Sequence, residues 1–197
     1  MLENQIMSHG KAMSEERAMT IIAAQRDVRT TFLGGFAGQL VSSFIWFASA
    51  GLGTWHSFRA GILMLVIGGF FIFPFTQLLL RAMGHPFSLP KGHPMNALAM
   101  QIAFIVPLSL PLIGAATLHH VGWFYPAFMI VLGVHYLPFT FLYGMRQFGV
   151  LAGILIAAGL LIGLYASSNF SLGGWVTAVT LLAFAFLGRR TALREEN

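Results

Sequence analysis

From Val28 to Arg194 the chain contains no aspartate or glutamate. Its six acidic residues sit at the ends: Glu3, Glu15, Glu16 and Asp27, then Glu195 and Glu196. A surface in water carries both signs of charge, so so long a stretch without a carboxylate points to a different solvent. Of 197 residues 57% are hydrophobic and 9% charged, against roughly 25% charged in an ordinary soluble domain. That solvent is a lipid bilayer. The same absence removes whole classes of chemistry. Paired-carboxylate acid–base catalysis, an Asp-anchored Mg²⁺ site and an Asp/Glu proton relay all lack their residues. With no cysteine, thiolate catalysis, disulfides and Cys metal sites are excluded as well.

The stretch Trp123–Arg146, WFYPAFMIVLGVHYLPFTFLYGMR, sets the length scale. About 24 residues at ~1.5 Å each cover ~36 Å, enough for a ~30 Å hydrocarbon core. It opens on Trp123, Phe124 and Tyr125 and closes on Arg146, so residues suited to the interface mark both ends. Hydropathy places six such spans, near 31–53, 58–80, 95–117, 123–145, 148–166 and 171–188, the last being the shortest and weakest. All are expected to be helices, because an open strand cannot satisfy its backbone in lipid. The expected fold is all-α: a polytopic membrane bundle of six transmembrane helices behind a short amphipathic cytoplasmic helix.

Three regions follow: an N-terminal segment over 1–30, the membrane domain over 31–190, and a tail over 191–197. Residues 1–29 hold no secretory apolar core, so the first apolar run reads as a retained span. Ser14 followed by Glu15 and Glu16 reads as a helix start, with Ala18, Ile21, Ile22 and Val28 as a modest apolar stripe. With the N-terminus inside, that side carries Lys11, Arg17, Arg26, Arg29, Arg81, Lys91, Arg146, Arg189, Arg190 and Arg194. The other side carries Arg59 alone. This bias places both termini in the cytoplasm. It also assigns the net +5 charge to membrane topology, so no nucleic-acid partner is expected.

Gly69–Thr76 (GFFIFPFT) aligns with Gly133–Thr140 (GVHYLPFT) 64 residues later. Both lie in spans running outside to inside, and Trp55, Trp123 and Trp175 each open such a span. Three tandem hairpins account for this pattern; aromatic belts at the interfaces account for the tryptophans alone.

Within that repeat His135 stands where the first copy has Phe71. An imidazole at mid-membrane depth needs a partner or a job. Its same-face neighbours on the helix are apolar, so a partner comes from another span, with Gln39, Ser42, Ser43 and Gln101 available. A path for a solute or proton through His135, Gln39, Ser43 and Gln101 is one reading. A neutral histidine bonding helices together is the other. Pro74, Pro107, Pro111 and Pro138 each free a carbonyl and are candidate hinges.

The loop RAMGHPFSLPKGHPMN repeats Gly-His-Pro at Gly84–Pro86 and Gly92–Pro94. Arg81, His85, Lys91 and His93, with Arg146, form a candidate site for an anion or lipid headgroup; a punctuated turn with topogenic charges explains them too. His56, His119 and His120 match no metal motif and read as interfacial, so no metal or cofactor is expected. Gly34-x3-Gly38, Gly149-x3-Gly153 and Gly159-x3-Gly163 are helix-packing signals, within the bundle or between copies.

In type the chain resembles small uncharacterised bacterial six-span inner-membrane families over roughly 31–190, which implies a bacterial plasma membrane. No enzyme is expected, because no Ser–His spacing matches a catalytic arrangement. The expected function is a small-solute permease or channel-like protein; the alternative is a non-transporting subunit, assembly factor or lipid-interacting component. Expected partners are the bilayer, a small solute and a second copy through the Gly-rich spans.

Overall fold

The structure, a computed structural model, describes residues 20–196. Ser14, Glu15 and Glu16, read above as the start of the first helix, and Lys11, Arg17 and Ala18 lie outside the described residues. The described part of that helix covers 20–31. Its inward face is formed by Ala24 and Val28, whereas Ile21 and Ile22 are exposed, so the apolar stripe is narrower than expected. A left-handed turn joins it to the first span: Leu33, Gly34 and Gly35 all have positive φ, at 51°, 61° and 83°. Glycine takes that conformation at little cost. Gly34 has a second reason to lack a side chain, because a Cβ there would clash with the Gly188 backbone.

Six helices are long and apolar enough to cross a bilayer: Leu33–Trp55, Phe58–Ala82, Asn96–His119, Val121–Leu142, Gln147–Tyr165 and Leu172–Arg194. They are called spans 1 to 6 below. No strand occurs among the described residues. Ser57 caps span 2, its side chain accepting the Ala60 amide. The shortest span is the fifth, with 19 residues; the sixth belongs to a helix of 25 residues that runs on to Glu196. Hydropathy placed that helix's end too early because Arg189 and Arg190 interrupt the apolar run, while the helical backbone continues through them.

Spans 1 and 2 pack closely and antiparallel, and span 1 also packs along span 6. Small residues permit this. A Cβ on Gly61 would sit 3.0 Å from the Gly53 Cα and from the Ser49 carbonyl. Span 4 packs mainly on span 5, where Gly159 and Gly163 lie against Pro126, and only secondarily on span 3. Span 5 touches span 6. The order in space is therefore 3-4-5-6-1-2, an open arc with spans 2 and 3 at its ends and hardly in contact. Span 1 is the most buried of the six, and spans 2 and 3 are the least. The three consecutive pairs are packed unequally: spans 1 and 2 meet far more extensively than spans 3 and 4 or spans 5 and 6.

Candidate functional site

The largest departure from regular helix is in span 4. Its helix, Phe124–Tyr136, stops short of Pro138, and a four-residue helix, Phe139–Leu142, follows. Proline removes the amide that would reach the Val134 carbonyl; the Leu137 amide bonds that carbonyl instead, at 3.3 Å. After Leu142 the chain unwinds through Gly144, at φ 63°. Two carbonyls at this end of span 4 also accept from the N-terminal helix. Gln25 Nε2 donates to the Phe141 carbonyl, and Arg29 Nη1 donates to the Tyr143 carbonyl at 2.6 Å. His93 Nε2 lies 3.5 Å from the Asp27 carboxylate, and its Nδ1 accepts the Met95 amide. The N-terminal helix is thus fastened to both the broken end of span 4 and the 83–95 loop.

Of the four prolines, Pro138 alone coincides with a break. Pro74, Pro107 and Pro111 stay within continuous helices and are exposed. The aligned segments of the repeat therefore differ in form: Gly69–Thr76 is helical throughout, and Gly133–Thr140 is not.

Beside the break lies a cavity of about 370 Å³ walled by spans 1 to 4 and Phe148. His135 and Gln39 both line it; Ser43 and Gln101 do not. Ser43 donates to the Leu40 carbonyl of its own helix, and Gln101 is exposed on span 3. His135 Nδ1 meets the Ile102 carbonyl at 3.1 Å. A carbonyl only accepts, so Nδ1 carries the proton, and a neutral ring keeps Nε2 as an acceptor. Gln39 is 3% exposed, yet neither Oε1 nor Nε2 has a hydrogen-bond partner among the described residues. Ser42, Thr76, Tyr136 and Tyr143 are the other polar side chains in the wall.

The cavity occupies one half of the bundle. Along span 1 and the turn before it the cavity reaches from Phe32 to Trp46, and along span 4 and the residue after it from Phe128 to Tyr143. Beyond it, toward the opposite face, packing is tight. Ser49 donates to the Gly61 carbonyl at 2.7 Å and lies 2.7 Å from the Tyr125 hydroxyl, tying spans 1, 2 and 4. Trp46, Phe124, Tyr125, Phe128 and Phe170 stack around this point. At the other end Tyr136, Phe139, Tyr143 and Phe148 form a second aromatic cluster. Four wall residues are exposed, Phe70 and Phe73 on span 2 and Ala103 and Pro107 on span 3. The opening is sideways, between the two ends of the arc.

The residues of the second predicted cluster make separate contacts. Arg81 stacks over the Phe87 ring at 4.0 Å, Arg146 is exposed, and His93 is engaged as described, with His85 and Lys91 in the intervening loop. No group of three potential metal ligands occurs among the described residues, His56, His119 and His120 included. Three of the span 5 glycines face neighbours in the bundle, Gly149 toward Thr140 and Gly159 and Gly163 toward Pro126; a Cβ on Gly153 would meet nothing within 4 Å.

Fold and cavity together define a six-span helical membrane protein with a side-opening internal site. The chain belongs to a family of unknown function (DUF7010), whose model matches residues 21–190. No curated protein and no solved structure matches it.

Proposed function

We propose that this protein is a small carrier-type permease that receives its solute sideways from the bilayer, in contrast to a water-filled channel. One observation carries the reading: every exposed residue of the cavity wall lies on spans 2 and 3, at the two ends of the open arc. The break at Pro138, beside His135, supplies a hinge at the cavity wall. A non-transporting lipid-interacting component is the second reading, favoured by the aromatic clusters above and below the cavity. An enzymatic role finds no support: His135 bonds a backbone carbonyl, and no serine hydroxyl is paired with it among the described residues. The ten-to-one distribution of Lys and Arg supports a cytoplasmic position for the face that holds the N-terminal helix.

The chain has no native cysteine, so a single Ser42→Cys substitution places a spin label in the cavity wall. Collision rates with oxygen, which dissolves in lipid, and with a water-soluble nickel chelate then report the surroundings. The reading predicts high oxygen and low nickel accessibility. High nickel accessibility at position 42 would replace it with an aqueous pathway.

A further inference from the structure

We propose that the cavity takes an uncharged amphipathic small molecule: an apolar body ending in a neutral group that both donates and accepts hydrogen bonds, such as an alcohol or carboxamide, seated on the Gln39 amide. The proposal rests on the side-opening cavity above and adds the chemistry of what enters it.

Gln39 carries the inference. A buried amide without partners is costly, and natural folds rarely leave one. Gln39 is part of the cavity wall, so a ligand group that reaches its amide, donating to Oε1 and accepting from Nε2, completes it. His135 offers a second anchor of defined character: with Nδ1 committed to the Ile102 carbonyl, its neutral ring presents only an acceptor. Both anchors ask the ligand for a donor, and Gln39 asks for an acceptor as well.

Charge excludes the ionised alternatives. No Lys, Arg, Asp or Glu lines the cavity, so an ionic headgroup has no counter-charge there and loses its hydration on entry. Apart from Ser42, Thr76, Tyr136 and Tyr143 the rest of the wall is apolar, with Trp46, Phe70, Phe73, Phe128 and Leu132 suited to a hydrocarbon or aromatic body. A volume near 370 Å³ falls at the small end of small-molecule sites. The mouth faces the apolar band of the bilayer, so the molecules that reach it are those that partition there first.

The test uses the full chain in phosphatidylcholine nanodiscs. Trp46 is a buried part of the wall, so a brominated ligand reports its arrival by quenching tryptophan emission. Titration with 11-bromoundecanol is expected to show a saturable component above the linear quenching due to partitioning. Titration with 11-bromoundecyltrimethylammonium is expected to show the linear part alone. Gln39→Leu is expected to weaken the saturable component about tenfold, the effect of one unmet buried polar contact. Gly69→Phe is expected to abolish it: position 69 lines the cavity, and a Cβ there meets nothing within 4 Å, so a side chain can leave the backbone without a clash.

The proposal is overturned if wild type quenches only linearly with the alcohol, or if both variants keep the saturable component. Equal saturation by the ammonium probe overturns the neutral-head assignment but leaves the side-opening cavity standing. That cavity fails separately, through nickel access to the position 42 label.

Discussion

Ser49 and Tyr125 form the polar contact that closes the bundle beyond the cavity. Ser49 gives its proton to the Gly61 carbonyl, so the Tyr125 hydroxyl donates to the Ser49 oxygen. Both side chains are fully buried. Ser49→Ala is expected to cost about 1–2 kcal/mol in reversible unfolding from mixed micelles, and Tyr125→Phe a similar amount. The double variant is expected to cost clearly less than the sum, because each change already removes the shared bond. Additive losses would show that the two residues act separately. Neither residue stands out in the sequence, since a Ser and a Tyr within apolar runs look like ordinary span composition. His135 does stand out, as the one histidine well inside a span, but its partner is a backbone carbonyl that no residue pattern marks. Gln39 was legible as an available polar group; that its amide lacks a partner follows only from packing.

At the level of helices, the sequence marks where the chain enters and leaves the bilayer, and the limits it sets agree with five of the six spans to within a few residues. It does not show that span 4 breaks. Pro74 and Pro138 occupy the same place in a repeated motif, yet only the second interrupts its helix. The difference lies outside the motif: Gln25 and Arg29 of the N-terminal helix donate to the Phe141 and Tyr143 carbonyls just beyond Pro138. Unpaired carbonyls at a membrane boundary favour helix unless such donors are at hand. Arg29→Met combined with Gln25→Leu is therefore expected to raise hydrogen exchange at Tyr143–Met145 by about tenfold or more, while the amides of span 1 stay protected. Unchanged exchange at those positions would mean that the N-terminal helix is not what holds the break.

For the whole molecule, hydropathy counts crossings but carries little about which spans touch. Every span must be apolar toward lipid whether or not it is also apolar toward protein, so an end-of-arc helix and a central one read alike. Small residues decide the order. Gly34 against Gly188, Gly61 against Gly53, and Gly159 against Pro126 bring spans 1, 6, 2, 5 and 4 together, whereas a Cβ at Gly69 or Gly114, on the two end spans, would meet nothing. The mouth of the cavity is a consequence of that distribution. The absence of native cysteine makes the claim directly measurable by disulfide trapping in membranes. Paired cysteines at Gly38 and Thr76, where a Cβ on residue 38 lies 3.8 Å from the Thr76 side chain, are expected to cross-link readily. Pairs across the mouth, Phe73 with Ala103 and Phe70 with Pro107, are expected to stay reduced under the same oxidant. Efficient cross-linking of the mouth pairs would contradict the account, because it would close the arc into a ring and leave the cavity no opening to the bilayer.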